Sequence, residues 1–205
     1  MKRIIVFIFA LVMMIGMLAA CLPEKKGGDN QRGVEMSSQN VESTKPTLTE
    51  EGIRALMAEN LNCMYNIFVL NHLPIQGDFV AGQSIYPVNT YKFATFEEFE
   101  NYVRSVYSKE TADLYLYNFP YEGEPMYCEK DCLLYIDLNK VGGKGYYVDW
   151  SNYTVTINSC ENDACSFTLN AQVEWPGEEP QAQDYPVEGK AVFENGTWLL
   201  TKMLF

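Results

Sequence analysis

Residues 187–205 read VEGKAVFENGTWLLTKMLF, and this stretch decides the fold class. Two runs rich in apolar and β-branched residues, Val187–Glu194 and Thr197–Phe205, lie on either side of Asn195-Gly196. An Asn-Gly pair supplies the positive φ angles that a two-residue type I′ turn requires. The pattern therefore predicts an antiparallel hairpin at the end of the chain.

Similar short runs precede this hairpin as far back as Leu133. They are Leu133–Asp137, Tyr146–Trp150, Tyr153–Ser159 and Ser166–Trp175. Each has the length, alternation or β-branched content that is typical of a strand. The C-terminal half is therefore predicted to form a curved antiparallel sheet.

The preceding part of the chain shows helical periodicity instead. Thr47-Leu-Thr-Glu50 matches a capping box that opens a first helix, and Pro74 is expected to end it. Thr95-Phe-Glu-Glu98 is a second capping box, and Ser108 is expected to cap a third helix. About three N-terminal helices packed on the sheet give an α+β fold.

The first 21 residues have the three parts of an export signal. Lys2 and Arg3 are followed by the apolar run Ile4–Met17, which is too short to be a confident membrane span. Leu18-Ala19-Ala20-Cys21 comes next and resembles the lipobox of bacterial lipoproteins. That resemblance implies cleavage before Cys21 and a diacylglycerol on its thiol. An ordinary secretory signal is the alternative.

These features predict three segments. Residues 1–20 are a lipoprotein signal peptide, and residues 21–46 are the lipidated cysteine and a flexible tether without apolar periodicity. Residues 47–205 suit a single domain with one core. The expected location is the extracytoplasmic face of the cell membrane, where the diacylglycerol binds the chain to the lipid.

The charge of the chain limits the class of partner. The formal net charge is −12, and loss of the two cations Lys2 and Arg3 brings the remainder near −14. Acids and bases balance in residues 22–46, so the excess lies in the domain. Such a surface repels nucleic acid and favours a basic partner, although solubility alone also accounts for it.

Four cysteines form two close pairs, Cys128/Cys132 and Cys160/Cys165. Their spacings suit zinc poorly, and export favours oxidation, so we predict disulfides, with three connectivities open. The segment Glu161–Ala164 reads as a hairpin loop between Cys160 and Cys165. Cross-strand neighbours at such a position are close enough to bond.

A catalytic constellation is not predicted. The only histidine, His72, lies nine residues after Cys63, and at 100° per residue the two point to opposite sides of a helix. Residues 137–148 begin like a calcium loop, but Val148 stands where a bidentate Glu is needed. Gly142–Gly145 lacks the spacing of a phosphate loop. We therefore expect no enzyme activity, no metal and no cofactor, and we expect Cys63 to be a buried free thiol.

The aromatic residues give the candidate partner-binding surface. They cluster around the loop before the sheet and again near residue 146, and tyrosine and tryptophan are favoured at interface cores. The candidates are Tyr117, Tyr121, Tyr127, Tyr146, Tyr147 and Trp150. The alternative interpretation is that these rings fill the core.

Several local motifs resemble the IseA family, exported inhibitors of DL-endopeptidases. The matching segments span most of residues 50–205 and are Tyr91-Lys-Phe93, Thr95-Phe-Glu-Glu98, Tyr107-Ser-Lys-Glu-Thr-Ala112, Leu133-Leu-Tyr-Ile136 and Glu194-Asn-Gly-Thr-Trp198-Leu-Leu200. The chain departs from the family at Glu129-Lys-Asp-Cys132, where an Asn-Gly turn is expected, and in its cysteine pairs. The same order of elements is similar to the NTF2/cystatin-like group.

The resemblance implies a binding protein that inhibits cell-wall hydrolases of the NlpC/P60 type. With the lipobox, we expect this protein to be anchored to the membrane, and we expect it to be a monomer. An alternative from the second resemblance is an NTF2-like protein with a small-ligand or enzymatic pocket. A third hypothesis is a structural component of the envelope without a ligand.

Overall fold

Three α-helices and nine strands make up the part of the chain that the computed structural model describes, residues 45–89, 91–142, 148–174 and 182–205. The fold is α+β, as predicted. The strands divide among three antiparallel sheets instead of one, and the first strand lies between the first and second helices, so the helices are not all N-terminal. The predicted signal peptide, Cys21 and nearly all of the tether lie outside the described residues.

Helix α1 spans Glu50–Cys63 and continues as a π-helical turn, Met64–Phe68. The predicted N-cap at Thr47 is wrong by two residues. Thr49 is the cap, because its extended backbone lets its hydroxyl accept a hydrogen bond from the Gly52 N–H at 3.2 Å. The helical segment also ends well before Pro74.

Helix α2 spans Phe96–Val106 and confirms the second capping box. The Thr95 hydroxyl accepts from the Glu98 N–H at 3.1 Å, and the Glu98 carboxylate accepts from the Ala94 N–H at 2.6 Å. Helix α3 spans Lys109–Tyr117 and follows Ser108, as predicted. The Ser108 hydroxyl donates to the Thr111 hydroxyl instead of capping the helix backbone.

The nine strands differ greatly in length. In chain order they are β1 Ile85–Pro87, β2 Pro120–Tyr121, β3 Glu124–Pro125, β4 Tyr127–Lys130, β5 Leu133–Asp137, β6 Val148–Glu161, β7 Ala164–Glu174, β8 Ala182–Glu194 and β9 Thr197–Leu200. The sheets are β1-β5-β4, β2-β3 and the meander β6-β7-β8-β9. Strand β6 joins two predicted strands, because an irregularity between Asp149 and Thr154 interrupts its pairing without ending it.

The predicted C-terminal hairpin is confirmed. Asn195 and Gly196 form its turn with φ angles of 51° and 86°, and β8 pairs with β9 from Glu194↔Thr197 to Ala191↔Leu200. Strand β9 is shorter than predicted, because the chain leaves the sheet after Leu200 and buries Met203 and Leu204.

Asn60, on α1, explains where this last segment goes. It is fully buried, its amide nitrogen donates to the Leu204 carbonyl at 2.6 Å, and its amide oxygen accepts from the Leu204 N–H at 3.0 Å. The same oxygen accepts from the Tyr107 hydroxyl at 3.0 Å. The Asn60 side chain therefore satisfies the hydrogen-bonding groups of the Leu204 backbone, which lies beyond the end of β9 and has no strand partner.

Replacing Asn60 with alanine should destabilise the protein by about 3 kcal/mol, because several buried polar groups would lose their partner at once. Urea unfolding followed by circular dichroism measures the change. Asn66→Ala, at an exposed asparagine of the same helical segment, should change the free energy of unfolding by less than about 0.5 kcal/mol. Equal effects of the two substitutions would contradict this role of Asn60.

The β4–β5 turn contains a second stability determinant. Asp131 and Cys132 occupy it with φ angles of 53° and 62°, which a type I′ turn requires but which a Cβ disfavours. Cys132→Gly should therefore stabilise the protein by about 0.5–1 kcal/mol, measured as an upward shift of the urea midpoint. Cys132→Ala removes the thiol but keeps the Cβ, and it should leave the midpoint unchanged; a shift as large as that of the glycine variant would refute the explanation.

Candidate functional site

Two of the predicted partner-binding residues belong to the core. Tyr127 is 1% exposed and Trp150 is 5% exposed, so neither can form a contact surface. The Tyr127 hydroxyl donates to the Ile67 carbonyl at 2.7 Å and accepts from the Leu73 N–H at 3.0 Å, which joins β4 to the segment after α1. Trp150 packs edge-on against Tyr153. Tyr146 and Tyr147 lie outside the described residues.

Tyr117 and Tyr121 remain at the surface. Tyr121 is 65% exposed on the β2–β3 hairpin, and Tyr117 is 40% exposed at the end of α3. The Tyr117 hydroxyl donates to the Glu100 carboxylate at 2.9 Å, so that ring is held against α2. The structure therefore keeps two of the six candidates as surface aromatics.

One pair of exposed apolar side chains, which lie together in a single loop, was not predicted from the sequence. Residues 78–82, which we call the Phe79 loop, connect the segment after α1 to β1. Phe79 is 69% exposed and Val80 is 53% exposed. An apolar pair between Gly77 and Gly82, in a segment without periodicity, is the sequence signal that could have identified it.

Tyr86 holds the Phe79 loop in place. Its side chain is only 2% exposed, and its hydroxyl donates to the Val80 carbonyl at 2.9 Å and accepts from the Val80 N–H at 2.8 Å. The Phe79 ring also stacks on the Tyr86 ring, with centroids 6.0 Å apart and planes 20° apart. Tyr86 itself is fixed by β1, where it pairs with Ile136 of β5. The loop is therefore an apolar tip on a rigid base.

A second surface feature is a solvent-open groove of about 310 Å³ between α1, α2 and the β8–β9 turn. We call it the Glu59 groove. Its lining residues are Pro46, Leu48, Gly52, Ala55, Leu56, Glu59, Ser105, Val106, Gly196, Thr197 and Trp198. The lining is mostly apolar.

Lys45 and Pro46 contact the strands beside this groove, although the sequence assigns them to the tether. The Trp198 indole N–H donates to the Pro46 carbonyl at 2.8 Å. The Lys45 ammonium lies 4.5 Å from the centre of the Trp198 ring and also contacts Asn162 and Asp163. The domain surface thus begins before residue 47.

The cysteine predictions have different outcomes. Cys160 and Cys165 face each other across the β6–β7 hairpin and form a disulfide, as predicted. Cys128 and Cys132 are not bonded in the structure: Cys128 is half-buried on β4, and Cys132 is exposed in the following turn. That second pair stays a prediction.

Cys63 and His72 have separate surroundings. Cys63 is fully buried at the end of α1, and burial raises the pKa of its thiol to about 11, with the Tyr102 hydroxyl 3.8 Å away. His72 lies beyond the π-helical turn, with its Nδ1 2.7 Å from the Leu73 carbonyl oxygen. In the described part of the chain, no group of His, Cys, Asp and Glu side chains could hold a metal ion. Within the described ranges, none of the helices combines the length and the apolar composition that a membrane span requires.

In a comparison with known protein families and curated proteins, no family model and no curated protein matches the chain.

With Cys128 and Cys132 reduced, as they are in the structure, the thiols of Cys63, Cys128 and Cys132 should differ in reactivity. At pH 8, Cys132 should be alkylated by iodoacetamide first, because it is exposed, and Cys63 should react only after unfolding, because it is buried and its pKa is raised to about 11. Mass spectrometry of tryptic peptides at successive times measures the order. Alkylation of Cys63 in the folded protein at a rate comparable to that of Cys132 would contradict the buried position of its thiol.

Proposed function

We propose that this protein is a membrane-anchored extracytoplasmic binding protein that inhibits peptidoglycan DL-endopeptidases of the NlpC/P60 type. The Phe79 loop is the observation that carries the proposal. An inhibitor of this kind inserts a complementary part of its surface into the substrate groove of the enzyme. A rigid loop with an apolar tip is suited to such insertion.

Burial of the Phe79 loop in a partner would contribute a substantial part of the binding free energy. Burying an exposed Phe side chain in a partner contributes about 2–3 kcal/mol, and Phe79 has most of its surface still to bury. The two hydrogen bonds between the Tyr86 hydroxyl and the Val80 backbone fix the loop before any partner binds. Less ordering entropy is then lost on binding.

Charge supports the same function. Asp78 lies directly before Phe79, and the chain carries a formal net charge of −12. An acidic protein is repelled by anionic wall polymers at long range and is attracted to a basic groove. The proposed lipid on Cys21 would keep the protein at the membrane surface, close to the enzymes that act on the wall.

The first test uses residues 22–205, which lack the signal and the lipidated cysteine. In several-fold molar excess over an NlpC/P60 endopeptidase, this protein should slow the release of cleaved muropeptides from purified peptidoglycan. Phe79→Ser should weaken inhibition at least tenfold, since more than about 1.4 kcal/mol of binding energy is removed. Tyr91→Ser is the matched control, because Tyr91 is an aromatic residue 98% exposed in another loop, and it should inhibit like the unaltered protein.

Tyr86→Phe distinguishes the contribution of the loop's fixed position from the contribution of the Phe79 side chain itself. This variant keeps Phe79 but removes both hydrogen bonds to Val80, so it should inhibit less well than the unaltered protein and better than Phe79→Ser. No slowing of the enzyme by the unaltered protein would refute the proposed function. Full inhibition by Phe79→Ser would instead show that another surface makes the contact.

A further inference from the structure

The Glu59 groove is independent of the Phe79 loop and has the form of a peptide-binding site. Its apolar floor includes Leu48, Leu56 and Val106, and its volume of about 310 Å³ is at the lower end of the range for ligand sites. Gly196 lies at its edge with open space where a side chain would be, which lets another backbone approach closely.

The groove contains a negatively charged side chain, Glu59. Among the lining residues that the structure describes, Glu59 is the only charged one. Its carboxylate accepts a hydrogen bond from the Tyr102 hydroxyl at 2.7 Å, and the Asn62 amide donates to the same hydroxyl at 2.5 Å. Burial raises the pKa of Tyr102, so the phenol keeps its proton and remains a donor to Glu59. The carboxylate is therefore held at the groove by a neutral hydrogen-bond donor. The Lys92 ammonium lies 4.3 Å from the centre of the Tyr102 ring, but Glu59 forms no ion pair in the described part of the chain.

Lys45, where the predicted tether meets the domain, does not pair with Glu59 either. The Lys45 ammonium is engaged by the Trp198 ring and by Asn162 and Asp163 at the β6–β7 turn. We propose that the Glu59 groove binds a peptide segment in which an apolar side chain adjoins a lysine or arginine. The apolar side chain would fill the floor of the groove, and the cation would pair with Glu59.

The test uses two acetylated dipeptide amides, Leu-Lys and Leu-Gln, added to isotopically labelled residues 22–205. The Leu-Lys peptide should shift the backbone amide signals of Gly52, Ala55 and Gly196 and saturate with a dissociation constant on the order of 1 mM. The Leu-Gln peptide should bind at least fivefold more weakly. Glu59→Gln should remove that difference while leaving the Leu-Gln affinity unchanged.

Ala55→Phe and Ala58→Phe form the steric pair. Both alanines are exposed on α1, but only Ala55 lines the groove, so Ala55→Phe should abolish the shifts and Ala58→Phe should preserve them. Equal binding of the two peptides to the unaltered protein would overturn the proposal, as would undiminished binding to Ala55→Phe. These outcomes are independent of endopeptidase inhibition, because Phe79→Ser leaves the groove intact.

Discussion

The buried amide of Asn60 is the constraint on which the arrangement of the described chain depends. It joins α1 to the backbone of Leu204 and to the hydroxyl of Tyr107 at the end of α2. A buried amide is tolerable only when its donor and acceptor groups are satisfied, and here the C-terminal segment satisfies both of them. This pairing holds α1 near the meander edge at β9, and the Glu59 groove lies between these elements and α2.

Local signals in the sequence predicted the elements that local chemistry specifies. The capping box at Thr95 and the Asn195-Gly196 turn involve hydrogen bonds and φ angles set within a few residues, and the disulfide at Cys160 follows from the same hairpin logic. Long-range contacts determine the features that the sequence analysis did not predict, which are the end of β9 and the division of the strands among three sheets. Strand β9 stops at Leu200 because Asn60 binds the segment beyond it, and the strands split into three sheets because β1 pairs with β5 rather than with the meander.

In the candidate site too, the features that depend on long-range contacts were the ones that the sequence analysis could not predict. An aromatic residue looks alike in sequence whether it lies in the core or at the surface, so Tyr127 and Tyr121 could not be separated until their partners were known. Tyr127 has two backbone partners from the segment after α1, and it is buried. Tyr121 lies on a two-residue strand and is exposed. Phe79 was overlooked because Tyr86, whose ring stacks on Phe79 and whose hydroxyl bonds Val80, is itself positioned by a long-range pairing with Ile136 of β5.

The two proposed surfaces differ in how the protein maintains them, and that difference bears on what each can bind. The Phe79 loop projects from a base fixed by Tyr86, so it suits a concave partner and loses little entropy on docking. The Glu59 groove is concave and open, so it suits a slender peptide. In the chain, α1 separates the junction at Lys45–Pro46 from the Phe79 loop, and its 14 residues span about 21 Å. Lys45 and Pro46 thus contact the strands at Trp198, whereas the loop that we propose enters the enzyme follows the other end of that helix in the chain.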